Sequence, residues 1–169
     1  MHFTRAIRAD RKRPGLLYAG TEYGMYISYD GGENWFSFQL NLPITPITDL
    51  AIRNNDLIVA TQGRCLYILD DLTPVQEANK EITGKTLHVF SVNPAWRMPG
   101  GGRRPGRTGG QAPANAGVNP PNGVLFHYYL KEADDSTRVS ITVYDKQQKP
   151  IKTFSAQDKE NILEFKKGM

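Results

Sequence analysis

The stretch Ser28-Tyr29-Asp30-Gly31-Gly32-Glu33-Asn34-Trp35 decides how the first part of the chain folds. A β-prone run over 24–29 leads into it and an aromatic run over 35–38 leads out, which is the pattern of a β-hairpin. Asp30 can accept hydrogen bonds from N–H groups of the turn, and the two glycines after it tolerate positive φ angles. Trp35 is expected to fold back over the turn as an apolar plug. The pattern therefore predicts that Asp30 holds a turn and does no chemistry.

The strands around this hairpin recur later in the chain. Three segments return at offsets of 45, 40 and 41 residues, namely Ala6-Ile7-Arg8 as Ala51-Ile52-Arg53, 17–21 as 57–61, and Tyr26-Ile27 as Tyr67-Ile68. A four-stranded unit that repeats at roughly 40–45 residues is typical of β-propeller blades, which bury their faces only by stacking on neighbouring blades. The repeat therefore predicts an all-β fold that begins with two four-stranded blades.

The second copy departs from the first at its turn. It keeps two acidic residues, Asp70 and Asp71, but has neither the glycine pair nor the tryptophan. A hard cation would need further oxygen ligands at calcium-loop spacing, and the neighbouring sequence does not supply them, so turn capping is the preferred role. Thr73 and Pro74 are typical of a helix start and predict a helical turn over 74–80, followed by a strand over 86–92.

The composition changes after the second copy. Residues 97–121 are rich in glycine, proline and arginine and nearly devoid of large apolar side chains, which favours a flexible linker or a long loop. Strand-like runs then follow at 124–130, 138–144, 151–154 and 162–165. They predict an antiparallel β-sandwich that is incomplete, since such folds use about seven strands. The predicted domains are propeller blades over 1–96, a linker over 97–121 and a partial sandwich over 122–169.

Several motifs together resemble one known family. The spacing of Ser28, Asp30, Gly32 and Trp35 is similar to the Asp-box of the neuraminidase-type repeat. The wider set contains, in order, Leu16-Leu17-Tyr18-Ala19-Gly20-Thr21-Glu22-Tyr23-Gly24, Asn41-Leu42-Pro43, Thr61-Gln62-Gly63-Arg64, Ile68-Leu69-Asp70-Asp71 and Asn119-Pro120-Pro121-Asn122-Gly123. This order resembles the C-terminal end of large bacterial propeller proteins with sortilin-like repeats, a group often called glycosyl-hydrolase-like.

The resemblance implies a location and a context for the chain. It implies an extracytoplasmic protein, periplasmic or secreted, although residues 1–5 lack the apolar core of a signal peptide. In the family, further blades precede this region and the terminal sandwich continues beyond it. The chain is therefore expected to be a fragment, and unpaired blade faces and strand edges predict that it self-associates when isolated.

The implied function is binding of a polypeptide or a glycan by the intact propeller, with no catalytic residue and no cofactor in this chain. The alternative is a sialidase-like glycoside hydrolase, whose arginine cluster, tyrosine–glutamate pair and acidic proton donor would lie on blades upstream. Glu22, Tyr23 and Arg64 occupy equivalent turns of the two repeats, so they are candidates for a binding surface at the propeller mouth, or else solvated turn residues. Gln62 stands where the family usually has a histidine, whose role would then be lost.

Charge, hydrophobicity and the cysteine and histidine content exclude several further kinds of partner and site. The net charge is +4, and the arginines at 103–107 could contact RNA, but no aromatic residues lie between them and nucleic-acid binding is not expected. No apolar run is long enough to predict membrane insertion. Cys65 is the only cysteine, which excludes an intramolecular disulfide. His2, His88 and His127 are far apart in sequence, so no metal site and no catalytic histidine is expected.

Overall fold

The computed structural model describes residues 2–95, 123–132 and 139–155 of the chain. These residues are mostly β: they form antiparallel sheets of four, three, two and two strands and two short helices. They divide into two compact units, the first from 1–78 and 90–127 and the second from 79–89 and 128–169. Each unit is described below by itself.

The first sheet is a four-stranded antiparallel meander. Its strands are β1 (Thr4–Ala9), β2 (Leu17–Thr21), β3 (Met25–Ser28) and β4 (Phe36–Ser37), in that spatial order. The β2–β3 turn contains Gly24 at φ 138°, a backbone conformation that side chains disfavour. The four strands predicted around the Asp30 turn are therefore confirmed.

The second sheet has three strands, not the four that the repeat predicts. These are β5 (Ile47–Arg53), β6 (Asp56–Thr61) and β7 (Leu66–Leu69), in consecutive antiparallel order. After β7 the chain turns through Asp71 at φ 58° and enters helix α1 (Thr73–Glu77), with a proline in its first turn. The helix predicted at this place is confirmed. The second sheet lacks the predicted fourth strand, because without the glycine pair the chain forms a helix here instead of a second tight hairpin.

The two sheets of the first unit share one hydrophobic core. Strand β5 packs against β1 and β2, and the buried side chains come from both sheets: Ala6, Leu16, Tyr18, Met25, Ile27, Ile47, Leu50, Ile52, Leu57, Val59 and Leu72. Gly20 makes the close approach possible, since a Cβ at this position would lie only 2.8 Å from the Cβ of Ile47. Alternation of buried and exposed residues along β5 and β6 leaves the opposite face of the second sheet outside this core.

The contact between Gly20 and Ile47 also defines how the two sheets are oriented. Gly20 is near the end of β2 and Ile47 begins β5, so the β2–β3 turn and the β6–β7 turn lie at the same end of the first unit. We call this the β2–β3 end. The β1–β2 turn, the Asp30 turn and the β5–β6 turn lie at the opposite end, which we call the β1–β2 end. Sites at the two ends are therefore separate.

The second unit contains helix α2 and two strand pairs. Its elements are α2 (Lys80–Gly84), β8 (Leu87–Val89), β9 (Tyr128–Leu130), β10 (Ser140–Tyr144) and β11 (Pro150–Ser155). Strands β8 and β9 pair antiparallel, and β10 and β11 form a hairpin whose turn is closed by Asp145. The strands predicted within 86–92, 124–130, 138–144 and 151–154 are confirmed.

The division into units differs from the predicted domain boundary at residue 96. Strand β8 falls within the predicted blade region, but it pairs with β9 in the second unit. The predicted linker over 97–121 and the predicted strand over 162–165 lie outside the described residues. Within the described residues, the sheets do not close into a propeller or a barrel.

Candidate functional site

The Asp30 turn is held by side chains that bond to the turn backbone. Ser28 is fully buried; its Oγ donates to Asp30 Oδ1 at 2.7 Å and accepts from the Gly32 N–H at 2.9 Å. Asp30 Oδ1 accepts from the Asn34 N–H at 2.9 Å, and Oδ2 accepts from Asn34 Nδ2 at 2.7 Å. Gly31 and Gly32 have φ of 78° and 103°, as the sequence predicts. All of these contacts are internal to the turn.

The environment of Asp30 favours its charged form. Hydrogen bonds from the backbone and side chain of Asn34, followed by the one from Ser28, lower the pKa of Asp30 to about 2. A carboxylate with such a low pKa is a poor general acid or base near neutral pH. Its contacts are those of a turn-forming group, which is the role the sequence predicts.

Trp35 differs from its prediction as a buried plug. Its side chain remains 37% exposed, and its indole Nε1–H donates to the Gly32 carbonyl at 2.9 Å. The ring therefore lies along the turn and covers Gly32, where a Cβ would be 3.6 Å from the ring. The indole N–H thereby finds its polar partner within the turn itself.

The candidate mouth residues lie at the β2–β3 end. Glu22 accepts from Arg5 at 3.1 Å, and the ring of Tyr23 lies 4.2 Å from that of His2. Tyr23 is nevertheless 56% exposed. Arg64 is exposed in the β6–β7 turn, which adopts positive φ at both neighbours of Arg64. The structure thus places all three candidates at one end of the sheets, and Glu22 is already engaged in an ion pair.

A polar network that the sequence did not single out occupies the β1–β2 end. Asp10 is only 9% exposed. Its Oδ1 accepts from the N–H groups of Lys12 and Arg13 at 2.8 and 2.9 Å, and its Oδ2 accepts from Gln76 Nε2 at 3.0 Å and from the Tyr18 hydroxyl at 3.3 Å. Burial raises the pKa of Asp10, but these hydrogen bonds, led by the one from Gln76, hold it below its ordinary value. The carboxylate is therefore ionised near neutral pH.

The network continues to a second carboxylate, Asp71. Its Oδ1 accepts from the Thr73 N–H at 3.0 Å and from the side-chain amides of Asn55 and Asn93 at 3.0 and 2.6 Å. Its Oδ2 lies 3.5 Å from His127 Nε2. Burial raises the pKa of Asp71, but the bonds from Thr73 and Asn55 and the nearby His127 together lower it. The predicted capping role of Asp71 is confirmed, and His127, for which the sequence predicts neither a metal-binding nor a catalytic role, lies beside this carboxylate.

Gln76 joins the two carboxylate centres. Its Nε2 donates to Asp10 Oδ2 and also to Asn55 Oδ1, the latter at 2.8 Å. Asn55 in turn donates to Asp71 and to the buried Thr73 hydroxyl, both at 3.0 Å. The amides of this network therefore have fixed positions, because each is bonded on more than one side.

An open cleft of about 320 Å³ lies beside this network. It is lined by Ile52 and by six polar residues: Arg11, Lys12, Asn54, Asn55, Gln76 and Asn93. Arg11 and Lys12 are exposed in the β1–β2 turn. None of the lining residues is acidic, so the cleft combines two positive charges with neutral amides.

The residues of this cleft were missed because their partners are distant in sequence. Asp10 and Gln76 are separated by 66 positions, and Asp71 and Asn93 by 22. The available signal was the asparagine pair Asn54-Asn55, which is typical of a turn with positive φ and has φ of 49° and 72° here. That signal indicates a turn but does not reveal what the side chains contact.

Two features are absent from the part of the chain that the structure describes. No group of three or more His, Cys, Asp or Glu side chains there could hold a metal ion. None of its helices is both long and apolar enough to cross a membrane. Cys65 is exposed in the β6–β7 turn.

Comparison with known proteins finds no matching family model, curated protein or solved structure for this chain. The class that can be stated is therefore a mostly β protein whose first unit packs a four-stranded sheet on a three-stranded sheet, with a polar cleft at one end.

Proposed function

We propose that the two sheets of the first unit are consecutive blades of an Asp-box β-propeller related to the sortilin-like, neuraminidase-type repeat proteins. Its proposed role is non-catalytic binding of a polypeptide outside the cytoplasm. The observation that carries the proposal is that equivalent turns of the two sequence repeats lie at the same end of two packed sheets. Loops that repeat at one end of stacked blades are the usual binding surface of such folds.

The packing of the sheets supports a blade arrangement. In a propeller, neighbouring blades cover each other face to face and their first strands approach one another around an axis. Here β5, the first strand of the second repeat, packs against β1 and β2 of the first repeat. An ion pair between Arg8 of β1 and Asp49 of β5 joins the two first strands.

The β2–β3 end offers the side chains that a polypeptide site requires. The connection from β4 to β5 is tied to this end, because Thr45 Oγ1 donates to the Gln62 carbonyl at 3.0 Å. It carries two exposed aliphatic residues, Leu40 at 60% and Ile44 at 79% exposure. With Tyr23 and Arg64 they form the mouth surface, as we name these four residues. Exposed aliphatic side chains favour a polypeptide over a glycan, since sugars present few apolar groups for them to cover.

The test is selection of peptides from a synthetic library on the purified chain, followed by affinity measurements with variants. We expect Tyr23→Ala and Arg64→Gln each to weaken a selected peptide by about tenfold or more, since aromatic and arginine side chains dominate such interfaces. Arg53→Gln, an exposed arginine at the far end of β5, is the matched control. Peptides that bind all variants equally would contradict the proposal.

A parallel assay addresses the two other interpretations. A glycan panel tests whether carbohydrate, and not peptide, is retained at the mouth surface. Fluorogenic sialosides test for hydrolysis, which in a sialidase-like enzyme would require the tyrosine–glutamate pair and the acidic proton donor. Turnover that survives purification to homogeneity would favour the hydrolase alternative over a binding protein.

A further inference from the structure

We propose that the cleft at the β1–β2 end binds a small polar ligand that carries one oxyanion group, a carboxylate or a phosphate. This site is distinct from the mouth surface and does not depend on the proposed propeller function, because it lies at the opposite end of the first unit. Arg11 and Lys12 are assigned to the oxyanion, and the amides of Asn54, Asn55 and Asn93 to the neutral polar groups of the ligand.

The position of the two bases is determined by the turn that carries them. Asp10 Oδ1 accepts from the backbone N–H of Lys12 and of Arg13, which fixes the path of the turn between β1 and β2. Arg13 anchors its far side, with its guanidinium donating to the Gln76 carbonyl at 2.9 Å and stacking 4.7 Å from the ring centroid of Tyr29. Arg11 and Lys12 are thus presented from a rigid turn, and such preorganisation lowers the entropy cost of binding.

The charges of Arg11 and Lys12 are not neutralised by acidic side chains in 2–95, 123–132 or 139–155. Neither forms an ion pair with a carboxylate of the described residues. The acid nearest in sequence, Asp10, directs its oxygens to four donors within the protein instead of to these bases. Two cations beside a cleft without an acidic lining residue favour an anionic group as the ligand.

The amides of the cleft are held in place by the network beneath them. Asn55 and Asn93 both donate to Asp71 Oδ1, and Asn55 also accepts from Gln76. Both amides also donate to the Thr73 hydroxyl, so their two donor hydrogens are used and only lone pairs of their Oδ1 atoms remain. Fixed amide oxygens of this kind suit ligand hydroxyl groups, which can donate to them.

The size of the cleft agrees with a small ligand. Its volume of about 320 Å³ lies at the lower limit of ordinary small-molecule pockets. One six-membered ring with a single charged substituent is a ligand of this scale. We therefore choose glucose 6-phosphate and glucuronate as probes, with inorganic phosphate and uncharged glucose for comparison.

The experiment is calorimetric titration of the full chain with these four probes at low and at physiological salt. We expect glucose 6-phosphate or glucuronate to bind at least about tenfold more tightly than glucose, and the affinity to fall as salt is added. Inorganic phosphate should bind more weakly than glucose 6-phosphate, since it cannot use the amides. Which of the two sugar derivatives binds better identifies the oxyanion.

Variants locate the site within the chain. Arg11→Gln combined with Lys12→Gln should weaken the charged probes by about tenfold or more, the effect of losing charge-assisted hydrogen bonds. Asn54→Gly should weaken the charged probes less than the double variant does, because it removes one amide and no charge. Glycine permits the φ of 49° at this position, so the loss of affinity reports the missing side chain and not backbone strain. Arg64→Gln, at the β2–β3 end, is the control.

Three results would overturn the proposal. They are the absence of binding by all probes at millimolar concentration, equal affinity for glucose and its charged derivatives, and a loss of affinity in Arg64→Gln as large as in the double variant. Unchanged thermal unfolding of Asn54→Gly and of the double variant excludes misfolding as the cause of a loss. The peptide affinity of the mouth surface should be the same in all of these cleft variants, which separates this proposal from the proposed function.

Discussion

Ser28 illustrates how one buried hydroxyl holds the first turn in place. It has no exposed surface, and its oxygen both donates to Asp30 and accepts from the Gly32 N–H. We expect Ser28→Ala to lower the free energy of unfolding by about 1–3 kcal/mol, because the Gly32 N–H loses its partner beneath the turn. Chemical denaturation followed by tryptophan fluorescence measures the change directly, since Trp35 belongs to the same turn.

The matched control for this prediction is Ser37→Ala. Ser37 is a serine of the same sheet, but it is exposed in β4. Its replacement should change stability by less than about 0.5 kcal/mol. Equal losses in the two variants would mean that burial of the Ser28 hydroxyl has no special role.

Asp30 makes the stability of the turn dependent on pH. Its folded-state pKa of about 2 is below the ordinary value of 3.8, so the ionised form stabilises the folded state. This stabilisation is complete above the unfolded-state pKa of about 4 and is lost as pH falls from about 4 through about 2. The lowered pKa values of Asp10 and Asp71 act in the same direction.

Melting temperatures of the wild type and of Asp30→Asn, measured between neutral pH and about pH 2, test this expectation. Asparagine retains the shape but not the charge, so the variant should be less stable at neutral pH and should lose less stability on acidification. Glu33→Gln removes the neighbouring carboxylate and should leave the wild-type acid dependence intact. If the melting temperatures of the wild type and Asp30→Asn fall by the same amount on acidification, the role assigned to the Asp30 charge is disproved.

At the scale of elements, the close contact of β5 with β2 is possible because Gly20 of β2 has no side chain. A Cβ at Gly20 would come within 2.8 Å of the Cβ of Ile47, an atom that cannot move away without shifting β5. Gly20→Ala should therefore destabilise the chain by about 1–3 kcal/mol through overpacking. Gly84→Ala is the control, because a Cβ there meets nothing within 4 Å. A Gly20→Ala variant as stable as the wild type would show that the sheets are more loosely packed than described.

Arg13 links helix α1 to the β1–β2 turn of the first sheet, in addition to the bond from Gln76 to Asp10. The guanidinium of Arg13 donates to the carbonyls of Val75, Gln76 and Ala78, which are at the C-terminal end of the helix. Arg13→Lys keeps the charge but loses the stacking of the planar guanidinium on Tyr29 and the Nη1 donor group, so we expect a loss of about 1–2 kcal/mol. Lys12→Arg leaves these bonds intact and should be neutral. Circular dichroism and urea unfolding of both variants provide the comparison.

The sequence predicted elements whose chemistry is local. The turn residues of the Asp30 hairpin and its flanking β-prone runs lie within about ten positions of one another. The start of α1 is predicted by Thr73 and Pro74, which are typical of a helix N-terminus. The pairing of β8 with β9 was not predictable in this way, because the two strands are about 40 positions apart and neither carries a signal for its partner. The sequence repeat correctly located β5 to β7. It also predicted a fourth strand in the second copy, which lacks the glycine pair that the hairpin turn of the first copy contains.

The cleft could not be predicted from residues that are neighbours in the sequence, for a related physical reason. Its amides derive their positions from hydrogen bonds to Asp10 and Asp71, which join residues 22 to 66 positions apart and therefore form only in the folded first unit. Each of these residues looks like an ordinary polar turn residue in the sequence. The candidates Glu22, Tyr23 and Arg64 were easier to place, since equivalent turns of a sequence repeat lie at the same end once the two sheets pack.

At the scale of the whole molecule, one apolar sheet face of the first unit is not covered by any element of the described residues. Ile68 of β7 lies opposite Ile58 of β6, and Leu66 lies opposite Ala60, on the face away from the core. Leu66 is 65% and Ile68 is 58% exposed. A continuous apolar face of this kind on an edge strand favours association.

We therefore predict that the purified chain self-associates, and that the double variant Leu66→Thr with Ile68→Thr is shifted toward the monomer. Threonine keeps a high β propensity but replaces exposed apolar surface with a hydroxyl, so the sheet itself should be retained. Ile151→Thr removes an equally exposed isoleucine from β11 of the second unit and serves as the control. Sedimentation velocity at several concentrations measures the shift. If the wild type is monomeric at all of them, or if Ile151→Thr has the same effect as the double variant, the exposed face of β7 is not an association surface.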